Sequence, residues 1–403
     1  MAEFTLNEVR NMKNSKNIIF VGNPVPEEMV KSSKICNVNI ADNIAQNTII
    51  NGLHQHYGES LSVVSISSEK SMAELDLGYG VKASTIFSNS LHRAVFYMTI
   101  AVNYTKKLNE ILNNNHDKDI VIITNGPYIY MALPAMIARW RYKVKWVPFL
   151  IGSVEVPGER FPYSLISKLS RWTASRADGA ITYVAQSAID YMPGKPFVEI
   201  FYLIDDKSMT IYRNYKPKKP SKFTIAYTGA LTSIYNIDIV IEVIKKTGKK
   251  YHWAFAGVGQ YADKVKKLSH NKNYDVDYLG AVSNVDATKL QKSCDLLLCL
   301  RGGNQSKINQ NYSKYAASGK LIEYIFSGTP ILAGDIPAFS DKIKPFMTCE
   351  KIQIVNQIVH DINVIEDDYV SKAKLAQKGQ KYALKYLTAD HQNKNIYEFL
   401  ETL

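Results

Sequence analysis

The strongest constraint on the fold is a regular alternation of short apolar segments with longer helical patterns. The apolar segments are rich in β-branched and aromatic residues and several end at a glycine; they occupy residues 17–22, 60–66, 119–124, 144–151 and 179–184 in the first half and 223–229, 251–257, 276–280, 295–300 and 330–334 in the second. Helical patterns lie between them, notably at 42–56, 91–114 and 237–247. Strands that alternate with helices in this way predict parallel sheets covered by helices.

Between the two sets of strands lies a polar, basic segment with two prolines, residues 206–222. A chain of 403 residues is too long for one compact core. We therefore predict an α/β protein with two Rossmann-like, doubly wound domains that face each other across a cleft. The first covers residues 1–205, the linker 206–222 and the second 223–385, and a C-terminal helix at 386–403 packs back on the first domain. Because ligands of such sheets bind beyond the carboxyl ends of the strands, we expect the active site in the cleft.

Composition narrows the class of partner. The formal net charge of +12 favours nucleic acid, anionic lipid or a phosphorylated substrate. No helix-turn-helix, RNA-binding sheet signature or zinc module is found, so nucleic-acid binding is not expected. The four cysteines are scattered, without CxxC spacing or nearby histidines, which argues against a disulfide framework or a zinc site. The N-terminal segment lacks the apolar core of a signal peptide and no apolar run is long enough to span a membrane, so we expect a cytoplasmic protein.

Residues 318–328, SGKLIEYIFSG, predict a helix whose first turn joins two small residues to a lysine. Ser318 and Gly319 let an anion approach the backbone closely, and Lys320 adds a positive charge. Glu323 follows one turn later, where a carboxylate can accept two hydroxyl hydrogen bonds. This combination suits a ribose diphosphate. The alternative is a surface pair between Lys320 and Glu323 at i,i+3.

The order of these segments resembles that of the GT-B-fold nucleotide-sugar glycosyltransferases of the retaining type called glycosyl transferases group 1. KLIEYIFSGTPILA is similar to the signature helix of that family, and FTIAYTGAL to the first strand of its second domain. FAGVGQYADKVKKL is similar to its glycine-rich segment, and VDYLGAVSNVDATKLQKSCDLLLCL to the strands that follow. The resemblance is good over about residues 223–345 and weaker before them.

The resemblance implies a glycosyltransferase, which we take to be of the hexosyltransferase type. It would move a sugar from a nucleotide diphosphate donor, in our interpretation UDP-linked, to a glycan or lipid-linked acceptor in bacterial surface polysaccharide synthesis. It further implies that Glu323 binds the ribose hydroxyls, that amides at Gly319–Leu321 meet the diphosphate and that Gly280–Val282 border the base. The donor-side candidates are Gly229, Gly280, Ala281, Val282, Arg301, Lys314, Tyr315, Ser318, Gly319, Lys320, Leu321 and Glu323, and the acceptor-side candidates are Asn23, Asp42 and Asn125. No cofactor and no metal are expected.

Two departures from the family pattern bear on activity. Tyr315 stands where retaining members usually carry a glutamate. The loop after residues 225–229 lacks the usual arginine and lysine, so Arg301, Lys314 and Lys320 become the candidates for neutralising the phosphates. A simple strand-end role is the alternative for Arg301. The departures also keep a second function open, a non-catalytic pseudo-glycosyltransferase that acts as a partner-binding or chaperone subunit.

Two acidic residues, Glu155 and Glu159, follow the predicted strand 144–151 at its carboxyl end. Either is a candidate base on an acceptor hydroxyl if the reaction inverts. The alternative is that both are surface charges on a loop. The Asp-Val-Asp run at 275–277 lies at the start of a strand, away from the expected ligand end, and is interpreted as a solvated turn rather than a metal site.

Two stretches of the first half, residues 139–146 and 160–176, combine cations with aromatic residues. In the second, Phe161, Leu165, Leu169 and Trp172 fall on one helical face. Such faces lie on anionic lipid or pack toward a core with basic edges, and both alternatives stay open here. The first predicts a peripheral protein on the inner face of the membrane, in contact through Arg139, Arg141, Lys143, Lys145, Arg160, Lys168 and Arg171.

Overall fold

The computed structural model describes residues 16–26, 29, 40–67, 73–87, 93–115, 118–152, 163–218, 220–302, 313–351 and 354–403. The chain divides into two compact units: unit 1 is Met1–Ile200 with Asn393–Leu403, and unit 2 is Phe201–Gln392. Each unit has its own sheet with helices packed on it, so the predicted α/β architecture of two Rossmann-like units is confirmed. No helix in the described part of the chain is both long and apolar enough to cross a membrane.

Unit 1 contains an eight-stranded sheet. Its strands are β1 (Lys16–Val21), β2 (Leu61–Ser67), β3 (Glu74–Gly78), β4 (Val81–Phe87), β5 (Asp119–Thr124), β6 (Lys145–Leu150), β7 (Ala180–Thr182) and β8 (Phe197–Glu199), in the spatial order β3-β4-β2-β1-β5-β6-β7-β8. All neighbouring pairs are parallel except β3 with β4. The central strands β1 and β5 are buried along almost their whole length, which is why each is a continuous apolar run in the sequence.

The helices of unit 1 form layers on this sheet. They are α1 (Ile40–Tyr57), α2 (Arg93–Asn113), α3 (Ile129–Tyr142), α4 (Tyr163–Ala174) and α5 (Ala185–Tyr191). The connections through α2, α3 and α4 all advance across the sheet in one direction, from β4 toward β7. Because parallel crossovers are right-handed, these three helices lie on the same face of the sheet, with α3 in contact with both α2 and α4.

Unit 2 contains a six-stranded, fully parallel sheet. Its strands are β9 (Thr224–Thr228), β10 (His252–Ala256), β11 (Val276–Gly280), β12 (Leu296–Cys299), β13 (Ile331–Gly334) and β14 (Thr348–Glu350), in the order β11-β10-β9-β12-β13-β14. The helices are α6 (Asp206–Asn214), α7 (Ile237–Thr247), α8 (Ala262–Ser269), α9 (Asn284–Ser293), α10 (Gly319–Ser327), α11 (Val355–Asp367), α12 (Tyr369–Tyr386) and α13 (Ala389–Glu401), the last of which enters unit 1 at Asn393. This strand order is that of a Rossmann sheet.

The segment expected to be a linker begins with a helix. Residues 206–214 form α6, and Asp205 caps it by accepting a hydrogen bond from the Ser208 amide over 2.9 Å. Tyr212 of α6 is buried and donates to Gln291 Oε1 over 2.6 Å. The first half of the predicted linker is therefore a packed part of unit 2. Its polar composition concealed a helix with only one buried side.

The last residues of the chain complete unit 1. Lys16, at the start of β1, is buried and donates from Nζ to the carbonyl oxygen of Leu400 over 2.8 Å. Asn393 packs so closely on α1 that a Cβ on Gly52 would lie 2.1 Å from its Nδ2 atom. Tyr397 donates to the carbonyl oxygen of Gly52 over 2.7 Å. Residues 393–403 are thus an integral element of this unit.

A glycine permits the close approach of two strand-end loops in unit 2. Gly257 follows β10 with φ +151°, and a Cβ at this position would lie 1.8 Å from the carbonyl oxygen of Gly229, which follows β9. The Gly229 amide in turn donates to the carbonyl oxygen of Ala256 over 2.8 Å. No side chain fits between these loops.

We expect Gly257→Ala to destabilise unit 2 by about 2–4 kcal/mol, because it adds both an overlap and a strained backbone. Urea unfolding followed by tryptophan fluorescence measures the loss, since Trp253 lies buried in β10. Gly248→Ala is the matched control in the same unit: Gly248 also has a positive φ of 58°, but the nearest atom to an added Cβ is the Asn273 carbonyl oxygen at 3.9 Å, so about 1 kcal/mol is expected there. Equal losses in the two variants would contradict the steric explanation.

Candidate functional site

Two loops flank the place where the winding of the unit 2 sheet reverses. β9 and β12 are neighbours, and the chain proceeds from β9 to one side of the sheet and from β12 to the other. Asn236, in the loop after β9, donates from Nδ2 to the carbonyl oxygen of Gly302, in the loop after β12, over 3.0 Å. Because ligands of doubly wound sheets bind at this crevice, it is the candidate site of unit 2.

Helix α10 approaches this crevice with its first turn, as the sequence predicted. Ser318 is its N-cap residue, and Gly328 ends it with φ +71°. One side of the Gly319 backbone is covered, since an added Cβ would lie 3.0 Å from Cγ of Tyr202. Leu321 is buried in the apolar interior. The start of α10 is therefore packed within the unit, and the helix carries Lys320 in its first turn and Glu323 in the next.

Lys320 lies buried beneath the loop that follows β9. Its Nζ atom is 3.6 Å from the ring centroids of both Tyr227 and Tyr235, and it donates a hydrogen bond to the Tyr227 hydroxyl. A Cβ on Gly229 would lie 2.6 Å from Lys320 Cε, so the backbone of this loop lies directly against the lysine side chain. The alternative of a surface ion pair with Glu323 is wrong, because Lys320 is buried and its ammonium contacts aromatic rings.

The environment of Lys320 lowers the pKa of its side chain. Burial lowers the pKa of Lys320 to about 7; the nearby Arg301 acts in the same direction, whereas Cys299 and Glu323 oppose it. The two aromatic faces favour the ammonium form without supplying a full negative charge. Near neutral pH the side chain is therefore poised between ammonium and amine.

Glu323 is partly exposed and is oriented by a glutamine. Gln291 of α9 donates from Nε2 to Glu323 Oε2 over 3.1 Å and to Thr228 Oγ1, at the end of β9, over 2.9 Å. The Tyr212 hydroxyl donates a hydrogen bond to Gln291 Oε1 and so fixes the orientation of the amide. Burial raises the pKa of Glu323, and the Gln291 hydrogen bond and Lys320 oppose the shift. Among the described residues Glu323 Oε1 accepts no hydrogen bond, so this oxygen is available to a ligand hydroxyl.

Arg301 follows β12 and is fully buried. Its Nη1 atom donates to the carbonyl oxygen of Ala316 over 2.9 Å, and its Cζ atom lies 5.6 Å from the ring centroid of Tyr235. Tyr235 therefore contacts both predicted phosphate-binding cations, Arg301 and Lys320. The two cations converge on one loop at the reversal of the sheet.

The other donor-side candidates lie at different places along the sheet. Gly280, with φ +66°, ends β11, two strands away from β9, and Ala281 and Val282 follow it. Lys314 Nζ lies 4.9 Å from the ring centroid of the buried Tyr315. Gly280–Val282 thus lie apart from the Lys320–Glu323 cluster, at the end of a more distant strand.

The acceptor-side candidates come together at the equivalent reversal of unit 1, between β1 and β5. Asn125 Nδ2 lies 3.2 Å from Asn23 Oδ1 and 3.2 Å from Asp42 Oδ2. Gln46 donates to Asn23 Oδ1 over 2.9 Å. Burial raises the pKa of Asp42, and the hydrogen bond from Asn125 opposes the shift. The result is a compact group of amides around one carboxylate.

Several residues of these clusters were missed by the sequence analysis. Gln46 follows Asp42 at i+4 on α1, a spacing that places both on one helical face and could have revealed it. Tyr227 and Tyr235 gave no such signal, because an aromatic residue in or after a buried strand is usually a core residue. Glu155 and Glu159 lie outside the described residues and stay predictions.

The Asp-Val-Asp run is part of a surface ion-pair group. Asp275 precedes β11 and accepts from Lys222 Nζ over 2.7 Å and contacts His252 Nδ1 over 2.9 Å. These contacts lower the pKa of Asp275. They occur at the amino end of the strand, away from the sheet reversal and its ligand edge.

Comparison with known proteins identifies the fold family. Residues 208–383 match the family described as Glycosyl transferases group 1, and this range covers most of unit 2. No curated protein matches the chain in sequence. The resemblance to GT-B-fold glycosyltransferases that the sequence motifs indicate is confirmed.

Solved structures with the same fold match nearly the whole chain. Alr3699/HepE of Anabaena in complex with UDP has a TM-score of 0.66 and 14% identity, with 96% of this chain and 100% of that chain covered. The lipopolysaccharide outer core galactosyltransferase WaaB has a TM-score of 0.68 and 13% identity, with 96% and 99% covered. Sucrose-phosphate synthase of Thermosynechococcus elongatus has 0.67 and 11%, with 96% and 98% covered. At these identities the likeness establishes the GT-B fold.

The depressed pKa of Lys320 predicts a pH-dependent stability. Below pH 7 the folded protein holds a buried ammonium at a cost, and this cost disappears as the pH rises toward 10.5, the ordinary value. We expect Lys320→Met to be more stable than the parent protein at pH 7.5. Its advantage should shrink by about 1.4 kcal/mol per pH unit up to pH 9.5. Urea unfolding at three pH values measures the difference, with the exposed Lys168→Met as control. A difference independent of pH would contradict the assignment.

Proposed function

We propose that this protein transfers a hexose from a UDP-linked donor to a glycan or lipid-linked acceptor in bacterial surface polysaccharide synthesis. The family match over residues 208–383 supports glycosyltransferase activity. The observation that carries the proposal is the group at the unit 2 reversal. It consists of the oriented carboxylate of Glu323, of Lys320 one helical turn away, and of Arg301, which shares a contact with Tyr235 with that lysine. Carboxylate and cations together match the hydroxyls and the phosphates of a nucleotide diphosphate.

The choice of donor class is supported by the solved relatives. HepE is described in complexes with UDP, with UDP-glucose and with UDP and glucose, and WaaB is described as a galactosyltransferase. TarM of S. aureus is described in complex with UDP and α-GlcNAc-glycerol. Together they make a UDP-hexose the donor to test first on this chain.

In the proposed reaction, unit 2 binds the donor and stabilises the departing diphosphate. A ribose hydroxyl would donate to Glu323 Oε1, which Gln291 leaves available. The phosphate charge would favour the ammonium form of Lys320, so donor binding near neutral pH would take up a proton. Arg301 would contribute the second cation. Fixed cations that meet the charge developing on a leaving group lower the barrier without reorganisation.

Unit 1 is proposed to bind the acceptor through its amide and carboxylate cluster. Asn23, Asn125 and Asp42 present hydrogen-bond donors and acceptors at a sheet reversal, the chemistry that sugar hydroxyls require. Burial raises the pKa of Asp42, which makes it a better proton acceptor from a hydroxyl than an exposed aspartate. It therefore joins Glu155 and Glu159 as a candidate base if the reaction inverts.

We predict that Glu323→Ala weakens UDP binding by about 1–3 kcal/mol, the range for lost hydrogen bonds to a charged group. Isothermal titration calorimetry measures the change. Glu242→Ala is the control, since Glu242 is an exposed acid of unit 2 whose only hydrogen-bond partner among the described residues is Lys245. Unchanged UDP affinity in a folded Glu323→Ala protein would remove the central support of the proposal.

The two cations should act on turnover more than on nucleoside binding. We predict that Lys320→Gln and Arg301→Lys each lower sugar transfer or donor hydrolysis roughly tenfold or more, while uridine affinity changes by less than about twofold. Arg301→Lys is chosen because it keeps a basic side chain at this buried position while losing the planar fork.

The same assays separate the proposal from its alternative. A parent protein that binds UDP but neither transfers nor hydrolyses any UDP-sugar in a panel would be the non-catalytic subunit instead. Normal turnover in both cation variants would place the phosphate-binding charges elsewhere, with Lys314 the next candidate.

A further inference from the structure

Three helices of unit 1 expose large apolar side chains to solvent. On each helix these residues follow one another at spacings of three or four, so they form a single stripe. The nine residues, here called the outer apolar face, are Val95, Met98 and Val102 on α2, Leu133, Ile137 and Trp140 on α3, and Leu165, Leu169 and Trp172 on α4.

The stripes lie opposite the sides that pack on the sheet. In α2 the buried residues are Ile100, Tyr104, Leu108 and Leu112, and in α3 they include Ala135 and Ala138. A helix that covers a sheet ordinarily has a polar outer face. Here the outer face is apolar on all three helices, and Trp140 and Met98 are 87% and 70% exposed.

The three stripes belong to one surface. α2, α3 and α4 lie on the same face of the sheet, and α3 contacts both of its neighbours. Contiguous apolar surface of this kind on a soluble protein marks an interaction site. The alternative that α4 turns its Leu165, Leu169 and Trp172 side toward the core is wrong, since all three are exposed.

The charges around the outer apolar face are almost all positive. Helices α3 and α4 contain no acidic residue, and the single acid of α2, Glu110, is paired with Lys107 over 2.9 Å. Exposed cations on or just after α3 and α4 are Arg141, Lys143, Lys168, Arg171 and Arg176. Arg139 is less available, because it forms two hydrogen bonds of 2.7 Å with Asp178. The contact of Arg139 with lipid stays a prediction, and Arg160 and Phe161 lie outside the described residues.

We infer that the outer apolar face docks into the headgroup region of an anionic membrane. Tryptophans favour the boundary between headgroups and acyl chains, where the ring is apolar and the N–H is solvated. Flanking lysines and arginines attract anionic lipid, while the apolar stripes enter the boundary without crossing it. The inference concerns unit 1 alone and does not depend on the proposed transferase activity, although a lipid-linked acceptor would be presented at the same surface.

Two other occupants fit the surface less well. A second copy of this chain, joined about a two-fold axis, would bring the cations of α3 and α4 against their own copies. A protein partner would need a large acidic and apolar surface of its own. An anionic bilayer supplies both features in one plane.

Vesicle co-sedimentation of the full chain without donor tests the inference. The protein should bind vesicles of phosphatidylglycerol and phosphatidylcholine at low salt, retain part of this binding at high salt, and bind pure phosphatidylcholine much more weakly. Met98→Ser, Trp140→Ser and Trp172→Ser combined should lower partitioning into the mixed vesicles by roughly tenfold or more. The control is Val258→Ser with Val370→Ser, which removes exposed apolar residues of unit 2 and should leave binding unchanged.

Tryptophan emission gives a second readout that does not depend on folding of the serine variant. Trp140 and Trp172 are exposed, whereas Trp146 and Trp253, the other two, are buried. Mixed vesicles should shift the emission to the blue in the parent protein. In Trp140→Phe with Trp172→Phe the shift should vanish while sedimentation with vesicles persists.

Three results would overturn the inference. One is absence of binding to mixed vesicles at low salt, and another is vesicle binding that the serine variant retains in full. The third is a dimer of the parent protein, seen by analytical ultracentrifugation without lipid, that the serine variant converts to monomer. That last result would assign the outer apolar face to a second copy of the chain.

Discussion

Parallel strands must be joined by right-handed crossovers, and this constraint determines where chemistry is placed in the protein. In each unit the winding reverses once at the centre of the sheet, and the loops that follow the two central strands diverge there. The Lys320–Glu323 cluster and the Asn23–Asp42–Asn125 cluster both lie at such reversals. The same handedness places α2, α3 and α4 in one layer, so that three separate stripes become one surface.

Much of this organisation could be predicted from the sequence, because buried parallel strands are short apolar runs and each has an obvious helix between it and the next. The antiparallel pair β3–β4 was missed, since β3 at the edge of the sheet alternates buried and exposed residues and includes two acids, Glu74 and Asp76. Helix α6 was missed because proline-rich sequence follows it closely. Strand β3 and helix α6 each pack against the rest of their unit on one side only.

The candidate site could also be predicted from the sequence only in part. Local motifs predicted that α10 would carry Lys320 and Glu323 to the strand ends, and the structure places them there. They did not predict that Lys320 is buried, since this depends on Tyr227, which lies far away in sequence on β9. The direction of the stripe on α4 was equally unpredictable, because the periodicity of one helix reveals an apolar side but not whether a neighbour covers it.

The hydrogen bond between Lys16 and the carbonyl oxygen of Leu400 has a consequence for the order of synthesis. A ribosome that has made β1 through β8 must still translate all of unit 2 before the residues that close unit 1 emerge. During that interval the Lys16 side chain lacks the Leu400 carbonyl oxygen, and the surface of α1 around Gly52 lacks Asn393 and Tyr397. Unit 2, whose residues are contiguous in the chain, can finish folding first, so the half translated later is complete before the half translated earlier.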